Sequence, residues 1–218
     1  MPEPITLLAV GGGVITIGTQ LARRYFEMAK EVLDVIAGTF ILLLILPLLA
    51  CCAILIKLSS PGRVFFTQVR VGKDGVPFTM YKLRSMRSDA EVASGAVWAQ
   101  SGDPRIIPAC RWMRYSHVDE LPQLINVIRG EMSLVGPRPE RPEILAELQK
   151  TYPEVAMRLA VRPGITGLAQ VRNGYDTTVA AFRHKLEADL EYIAKRKWSL
   201  ELAIMAKTFA KLNDKAAR

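Results

Sequence analysis

Residues 35–56 form a run of 22 without a single charge, with Ile41, Leu42, Leu43, Leu44, Ile45 and Leu46 in succession. Nothing else in the 218-residue chain limits its folding as strongly. At about 1.5 Å per residue, a helix over this run reaches roughly 33 Å, enough to cross the hydrocarbon core of a bilayer. Two features speak against a plain crossing. Pro47 stands mid-run, where a helix loses one backbone hydrogen bond and bends. Basic residues flank both ends: Arg23, Arg24 and Lys30 before, Lys57, Arg63 and Arg70 after. A straight span cannot keep both groups on the cytoplasmic side. A helix that enters, breaks at Pro47 and leaves by the same face satisfies both constraints; an ordinary kinked transmembrane helix is the open alternative.

An earlier segment, residues 5–22, is also uncharged, but it holds Gly11, Gly12, Gly13 and Gly18 among several polar residues. A spanning helix and a surface segment are both open readings there. It lacks the positive opening of a signal peptide. Residues 1–56 carry three basic against four acidic side chains, so the net charge of +8 belongs to the remainder, where 26 basic residues face 17 acidic ones. A basic domain behind an apolar leader points to phosphorylated ligands, anionic lipid or nucleic acid. Half of the chain is apolar, which excludes a disordered tail. Three cysteines, two of them adjacent (Cys51, Cys52), exclude a disulfide framework, and two distant histidines speak against a zinc site.

After residue 62 the pattern turns to strands. Residues 64–69 and 77–81 are β-rich and flank the turn signal Gly72-Lys-Asp-Gly75, which predicts a hairpin. Residues 86–104 read as a loop. Helices are predicted from Leu121 to a stop at Gly130, and over residues 144–150, 154–159, 180–194 and 200–212.

Four clusters could carry chemistry. In Tyr115-Ser-His-Val-Asp-Glu-Leu-Pro-Gln123, Asp119 and Glu120 stand at a helix start. Two carboxylates there suit a nucleophile paired with a second acid at a Mg²⁺-bound pyrophosphate. The plainer reading is a capping box formed by Ser116 and Asp119. In Val135-Gly-Pro-Arg-Pro-Glu-Arg-Pro142, alternating prolines stiffen the chain around Arg138 and Arg141, which suits bidentate phosphate binding or merely a rigid turn. In Val161-Arg-Pro-Gly-Ile-Thr-Gly-Leu-Ala-Gln-Val171, the glycines allow close approach of backbone to a ligand, or serve a turn into a strand. In Tyr81-Lys-Leu-Arg-Ser-Met86, Lys82 and Arg84 share a strand face, which by default is a solvated basic face.

Taken in order, these strings closely resemble the bacterial sugar transferase family, the monotopic phosphoglycosyl transferases that start lipid-linked glycan assembly. The resemblance runs from about Lys30 to the C-terminal region through FFTQVRVGKDGVPFTMYKLRSM, VDELPQLINVIRGEMSLVGPRPERPE, VRPGITGLAQV and DLEYIAKRKWSLELAIMAKT. It departs at Lys30-Glu31, at Leu46 before the proline and at His117-Val118 before the acid pair, and residues 1–29 lie outside it.

The resemblance implies a mixed α/β fold, mostly helical with a β-hairpin, anchored by a proline-broken reentrant helix. Residues 1–29 would be an N-terminal apolar segment, 30–58 the reentrant helix with its break at Pro47, and 59–218 the cytoplasmic catalytic domain. It implies transfer of a phosphosugar from a UDP-sugar to a polyprenol phosphate with release of UMP, at the cytoplasmic membrane. Asp119 matches the nucleophile that forms a covalent phosphosugar, Glu120 is its partner, and both are candidate ligands of an assisting Mg²⁺. Lys82, Arg84, Arg138 and Arg162 match phosphate-side positions, and Arg114 and Asp189 match positions that pair to hold the site together. Membrane lipid is an expected partner, and self-association into a homodimer stays open. Two rival classes need less. A membrane-anchored scaffold would need neither acid pair nor arginines. A nucleic-acid binder would use the basic domain, yet the sequence holds no aromatic-basic motif for stacking bases, so nucleic acid is not expected.

Overall fold

The computed structural model describes residues 9–10, 13–14, 17–87, 104–173 and 179–212. Near the start, β1 (Ala9–Val10) pairs antiparallel with β2 (Gly13–Val14). Residues 5–8, 11–12 and 15–16 of the uncharged 5–22 segment, and the loop expected over 86–104 apart from its ends, lie outside the described residues.

The apolar run lies within α1 (Ile17–Ser59), a single 43-residue helix. It begins well before the expected boundary at residue 30, and its helical span includes Pro47. The proline removes one hydrogen bond, but the bonds on either side keep the helical assignment continuous. Among the described residues, α1 is the one helix long and apolar enough to cross a membrane, with a mean hydropathy of 3.0 in its apolar window. Only 11% of that window is buried, and Phe40, Leu43, Leu44 and Leu46 are each more than half exposed. A bare stripe of this size is fitted to lipid rather than water.

Both arms of α1 touch the globular part. On the first arm, Lys30, Asp34 and Gly38 are buried, and a Cβ on Gly38 would meet Val127 Cγ1 at 3.2 Å, so the glycine lets α1 lie close against α3 (Leu124–Ile128). On the second arm, Cys52 and Ile56 join Leu83, Ile107, Cys110 and Met113 in one core cluster. Between the arms, residues 39–51 contain no buried position.

The hairpin is as expected: β3 (Phe65–Val71) pairs antiparallel with β4 (Pro77–Leu83), with Phe66 opposite Lys82. Its turn puts Asp74 at φ 56° and Gly75 at φ 79°, left-handed conformations that suit a short polar residue and a glycine. Phe78 and Met80 face inward and pack on Val127 and Met132. Lys82 lies on that same face by the two-residue period, which directs its amine into the domain.

A second, parallel pair joins β5 (Ser133–Val135) to β6 (Gly164–Thr166), with α4 (Pro142–Thr151) and a 3₁₀ stretch Pro153–Ala160 in the crossover. Here the glycines have a definite job. A Cβ on Gly164 would lie 2.0 Å from Gly136 N, and one on Gly167 would lie 2.2 Å from Gly136 O. They let two backbones touch each other. The helices α5 (Leu168–Asn173), α6 (Val179–Lys195) and α7 (Trp198–Leu212) close the domain, with Leu168, Ala188, Tyr192 and Ile204 packed around Val135.

Candidate active site

Asp119 and Glu120 lie in a six-residue 3₁₀ helix, Val118–Gln123, preceded by α2 (Arg111–Tyr115). The capping box is not formed. His117 takes the cap position at φ 58° without a side-chain bond, and Ser116 Oγ instead donates back to Trp112 O at 2.8 Å. The reason is geometric: the left-handed turn at His117 swings Ser116 away from the new helix. So short a helix has little dipole, and the acids are governed by side chains around them.

Glu120 is gripped from two elements. Lys82 Nζ donates to its Oε1 at 2.7 Å, while Arg138 spans both oxygens, Nη2 to Oε1 at 2.6 Å and Nη1 to Oε2 at 3.0 Å. Burial alone would raise its pKa, but Arg138 and Lys82 outweigh burial and hold the carboxyl well below the ordinary range. Lys82 is itself pushed down by burial, against the pull of Glu120.

Asp119 is in a different situation. It is buried, and Ser85 Oγ donates to its Oδ2 at 2.9 Å. Burial and the neighbouring charge of Glu120 raise its pKa, opposed by Lys82, Ser85 and Arg114. Adjacent acids in one helix turn are thus driven apart in basicity.

The loop that carries Arg138 is pinned along its length. Four successive carbonyls accept one bond each: Pro137 O from Gly164 N at 2.9 Å, Arg138 O from Arg158 Nη2 at 2.9 Å, Pro139 O from Arg70 Nη1 at 3.0 Å, and Glu140 O from Val71 N at 3.0 Å. Prolines at 137 and 139 lack N–H groups, so the carbonyls are what holds this loop in place.

Among the sequence candidates, the structure brings together Asp119, Glu120, Lys82 and Arg138, with Arg114 close enough to act on Asp119. Others lie elsewhere. Regular strand ends at Leu83, so Arg84 leaves the face of Lys82 and donates to the carbonyls of Ser60 and Pro61 just past α1, at 2.7 and 2.6 Å. Arg162 pairs with Glu31 of α1 at 3.1 Å. Asp189 does not pair with Arg114; it accepts from Arg158 Nε at 2.8 Å, because α6 packs beside the crossover rather than beside α2. Pro47 lies on the exposed part of α1. Sequence reading missed Ser85, Arg158 and Arg70. Ser85 lies in the Tyr81–Met86 segment, three residues after Lys82, whereas no local signal marks either arginine.

A carboxylate pair ringed by cations, beside an apolar helix of membrane length, describes a class of protein that handles phosphates at a membrane. Comparison places the chain within that class. The model of the bacterial sugar transferase family matches residues 25–215. A UDP-glucose:undecaprenyl-phosphate glucose-1-phosphate transferase of Caulobacter vibrioides is 43% identical over 199 residues, covering 89% of this chain and 73% of the relative. A UDP-N-acetylgalactosamine-undecaprenyl-phosphate N-acetylgalactosaminephosphotransferase of Aeromonas hydrophila is 40% identical, covering 88% of this chain and 45% of the relative. An exopolysaccharide production protein of Rhizobium leguminosarum is 39% identical, covering 81% and 90%. The chain belongs to the bacterial sugar transferase family.

Proposed function

We propose that this protein moves a sugar phosphate from a UDP-sugar to undecaprenyl phosphate, releasing UMP and initiating assembly of a lipid-linked glycan. It is an enzyme, a phosphoglycosyl transferase, in keeping with the activities named for its relatives. The observation that carries this reading is the asymmetry of the acid pair: Glu120 is locked ionised by Lys82 and Arg138, while Asp119 is buried and more basic beside it.

The reading assigns two half-reactions. Asp119 attacks the phosphorus that bears the sugar; a carboxylate O–P bond forms, the P–O bond to the nucleotide's α-phosphate breaks, and UMP leaves. An oxygen of the polyprenol phosphate then attacks the same phosphorus and returns the carboxylate. Neither step needs a proton transfer to balance. A raised carboxyl pKa makes a more basic and hence better attacking oxygen. Lys82 and the planar fork of Arg138, which here pair with Glu120, are the cations this reading offers to the pyrophosphate.

The donor set fits Mg²⁺, which takes one or two carboxylates and completes its octahedron with substrate phosphates and water. Asp119 and Glu120 are the residues that would hold it, and it would neutralise charge developing on the leaving phosphate. The membrane arrangement we propose is reentrant, with the catalytic domain on the cytoplasmic face where UDP-sugars are. In its support, both arms of α1 pack on one globular body while the apolar stretch between them is bare. A straight 43-residue helix would also measure roughly 65 Å, about twice the hydrocarbon core. A scaffold has no use for the buried acid pair, and the enzymatic relatives speak against one.

The test is UMP release from a panel of UDP-sugars with undecaprenyl phosphate in detergent or nanodiscs. One donor should be turned over, and Asp119→Asn should abolish turnover with the melting temperature kept within a few degrees. An Asn variant that releases UMP at near-normal rate would exclude the covalent route.

A further inference from the structure

The stretch after β4 is fastened on both sides. Arg84 N donates to Val64 O at 2.8 Å, Ile107 N to Ser85 O at 3.0 Å and Arg87 N to Arg105 O at 2.9 Å, and Met86 bridges to Ile106. Residues 84–87 are thus held between the hairpin and the 105–107 stretch, and Ser85 is only 5% exposed. Its hydroxyl reaches Asp119 Oδ2, while no described residue donates to Oδ1. Three residues earlier, β4 sends Lys82 to Glu120. One strand end therefore holds both acids, one side chain each.

We propose that Ser85 is a positioning residue for the transfer reaction: it holds Asp119 Oδ2, fixes the carboxylate's rotation and leaves Oδ1 as the oxygen that meets phosphorus. An aspartate turns easily about its terminal torsion, so without such a bond the attacking oxygen is not defined. Attack on phosphorus needs the entering and leaving oxygens in line, and misplacement by about 1 Å costs on the order of 100-fold in rate. Ser85 touches neither substrate nor metal in this scheme. Its effect passes through Asp119 and appears in the bond-forming step rather than in binding. The proposal rests on Asp119 being the nucleophile.

The experiment compares wild type, Ser85→Ala and Ser85→Thr with the donor selected by the UMP-release panel. Rapid quench followed by peptide mass spectrometry gives the rate at which phosphosugar appears on the Asp119 peptide, and calorimetry with UDP gives binding. The expected result for Ser85→Ala is adduct formation slowed about 100-fold. UDP affinity should stay within about twofold of wild type, as an interaction used only in the transition state requires. Ser85→Thr keeps the hydroxyl and should recover most of the rate. Three results overturn the proposal: Ser85→Ala forming adduct at the wild-type rate, Ser85→Ala losing UDP affinity in step with rate, or a folded Ser85→Thr no faster than Ser85→Ala. Failure of the nucleophile reading shows separately, as wild type releasing UMP with no phosphosugar on Asp119.

Discussion

Neighbouring acids with opposite environments lead to two predictions at the level of single residues. On the proposed covalent route Asp119 must be ionised to attack, and burial beside Glu120 places its pKa above the ordinary 3.8. As pH falls through that raised value the nucleophile is lost, so kcat/KM for UMP release should fall on the acid side at a higher pH than a free aspartate would give. A pH–rate profile reads it directly. Glu120 runs the other way. Its depressed folded pKa means its ion pairs stabilise the fold at pH above the unfolded value near 4.5 and fail only as pH falls through the lowered one. It therefore adds no limb in the same window. The second prediction concerns the grip itself. Glu120 occupies the donors of Lys82 and Arg138 that a pyrophosphate would use. Glu120→Gln weakens that internal pairing, so in the absence of Mg²⁺ it should bind UDP more tightly than wild type, by roughly tenfold, the factor that about 1.4 kcal/mol of lost competition yields. The same variant should be severely slowed in turnover. Calorimetry with UDP and chelator checks the binding, and weaker binding would show that Glu120 does not compete with phosphate.

At the scale of elements, the parallel pair β5–β6 is where sequence motifs meet as backbone. The strings around Gly136 and Gly164 are 28 residues apart, and each glycine is there because the other strand leaves no room for a methyl group. Gly164→Ala would drive Cβ to 2.0 Å from Gly136 N, and no side chain can move aside to relieve that. The pair must separate, taking the Gly164 N–Pro137 O bond and the Arg138 loop with it. We expect a loss of about 3 kcal/mol or more and a clear fall in melting temperature. Gly75 is a control of the opposite kind. It has positive φ but nothing within 4 Å, so Gly75→Ala should cost about 1–2 kcal/mol for strain alone.

At the scale of the molecule, α1 belongs to the domain as much as to the membrane. Lys30 links Glu201 of α7 at 2.8 Å and Asp34 at 3.2 Å; Asp34 accepts from Ser133 Oγ at 2.5 Å; the single hydroxyl proton of Tyr192 is shared between Glu201 Oε1 at 2.7 Å and Val135 O at 2.9 Å. This buried network ties the first arm of α1 to β5, whose next residues are the Arg138 loop. The reentrant arrangement we propose has a topological consequence. Single cysteines at Arg24 and Ser59, both exposed, introduced into a background lacking Cys51, Cys52 and Cys110, should be labelled from the same side of sealed vesicles. Labelling from opposite sides would make α1 a spanning helix.

What the sequence determined alone was whatever depends on neighbours along the chain. The charge-free run, the alternation of Phe78, Met80 and Lys82, the Gly72–Gly75 turn signal and the helices of the C-terminal part all follow from periods of 2 and 3.6 residues, and all are present. The acid pair was visible for the same reason, as adjacent letters. Tertiary structure decided which cations serve it. Lys82 and Arg138 reach Glu120 across 38 and 18 residues, whereas Arg84 and Arg162, equally basic and equally close to motifs, turn to the end of α1 and to Glu31. A charge has no direction until the backbone gives it one. That is also why Ser85, an unremarked hydroxyl at the end of a strand, stands against Asp119, and why Asp189 meets Arg158 instead of Arg114.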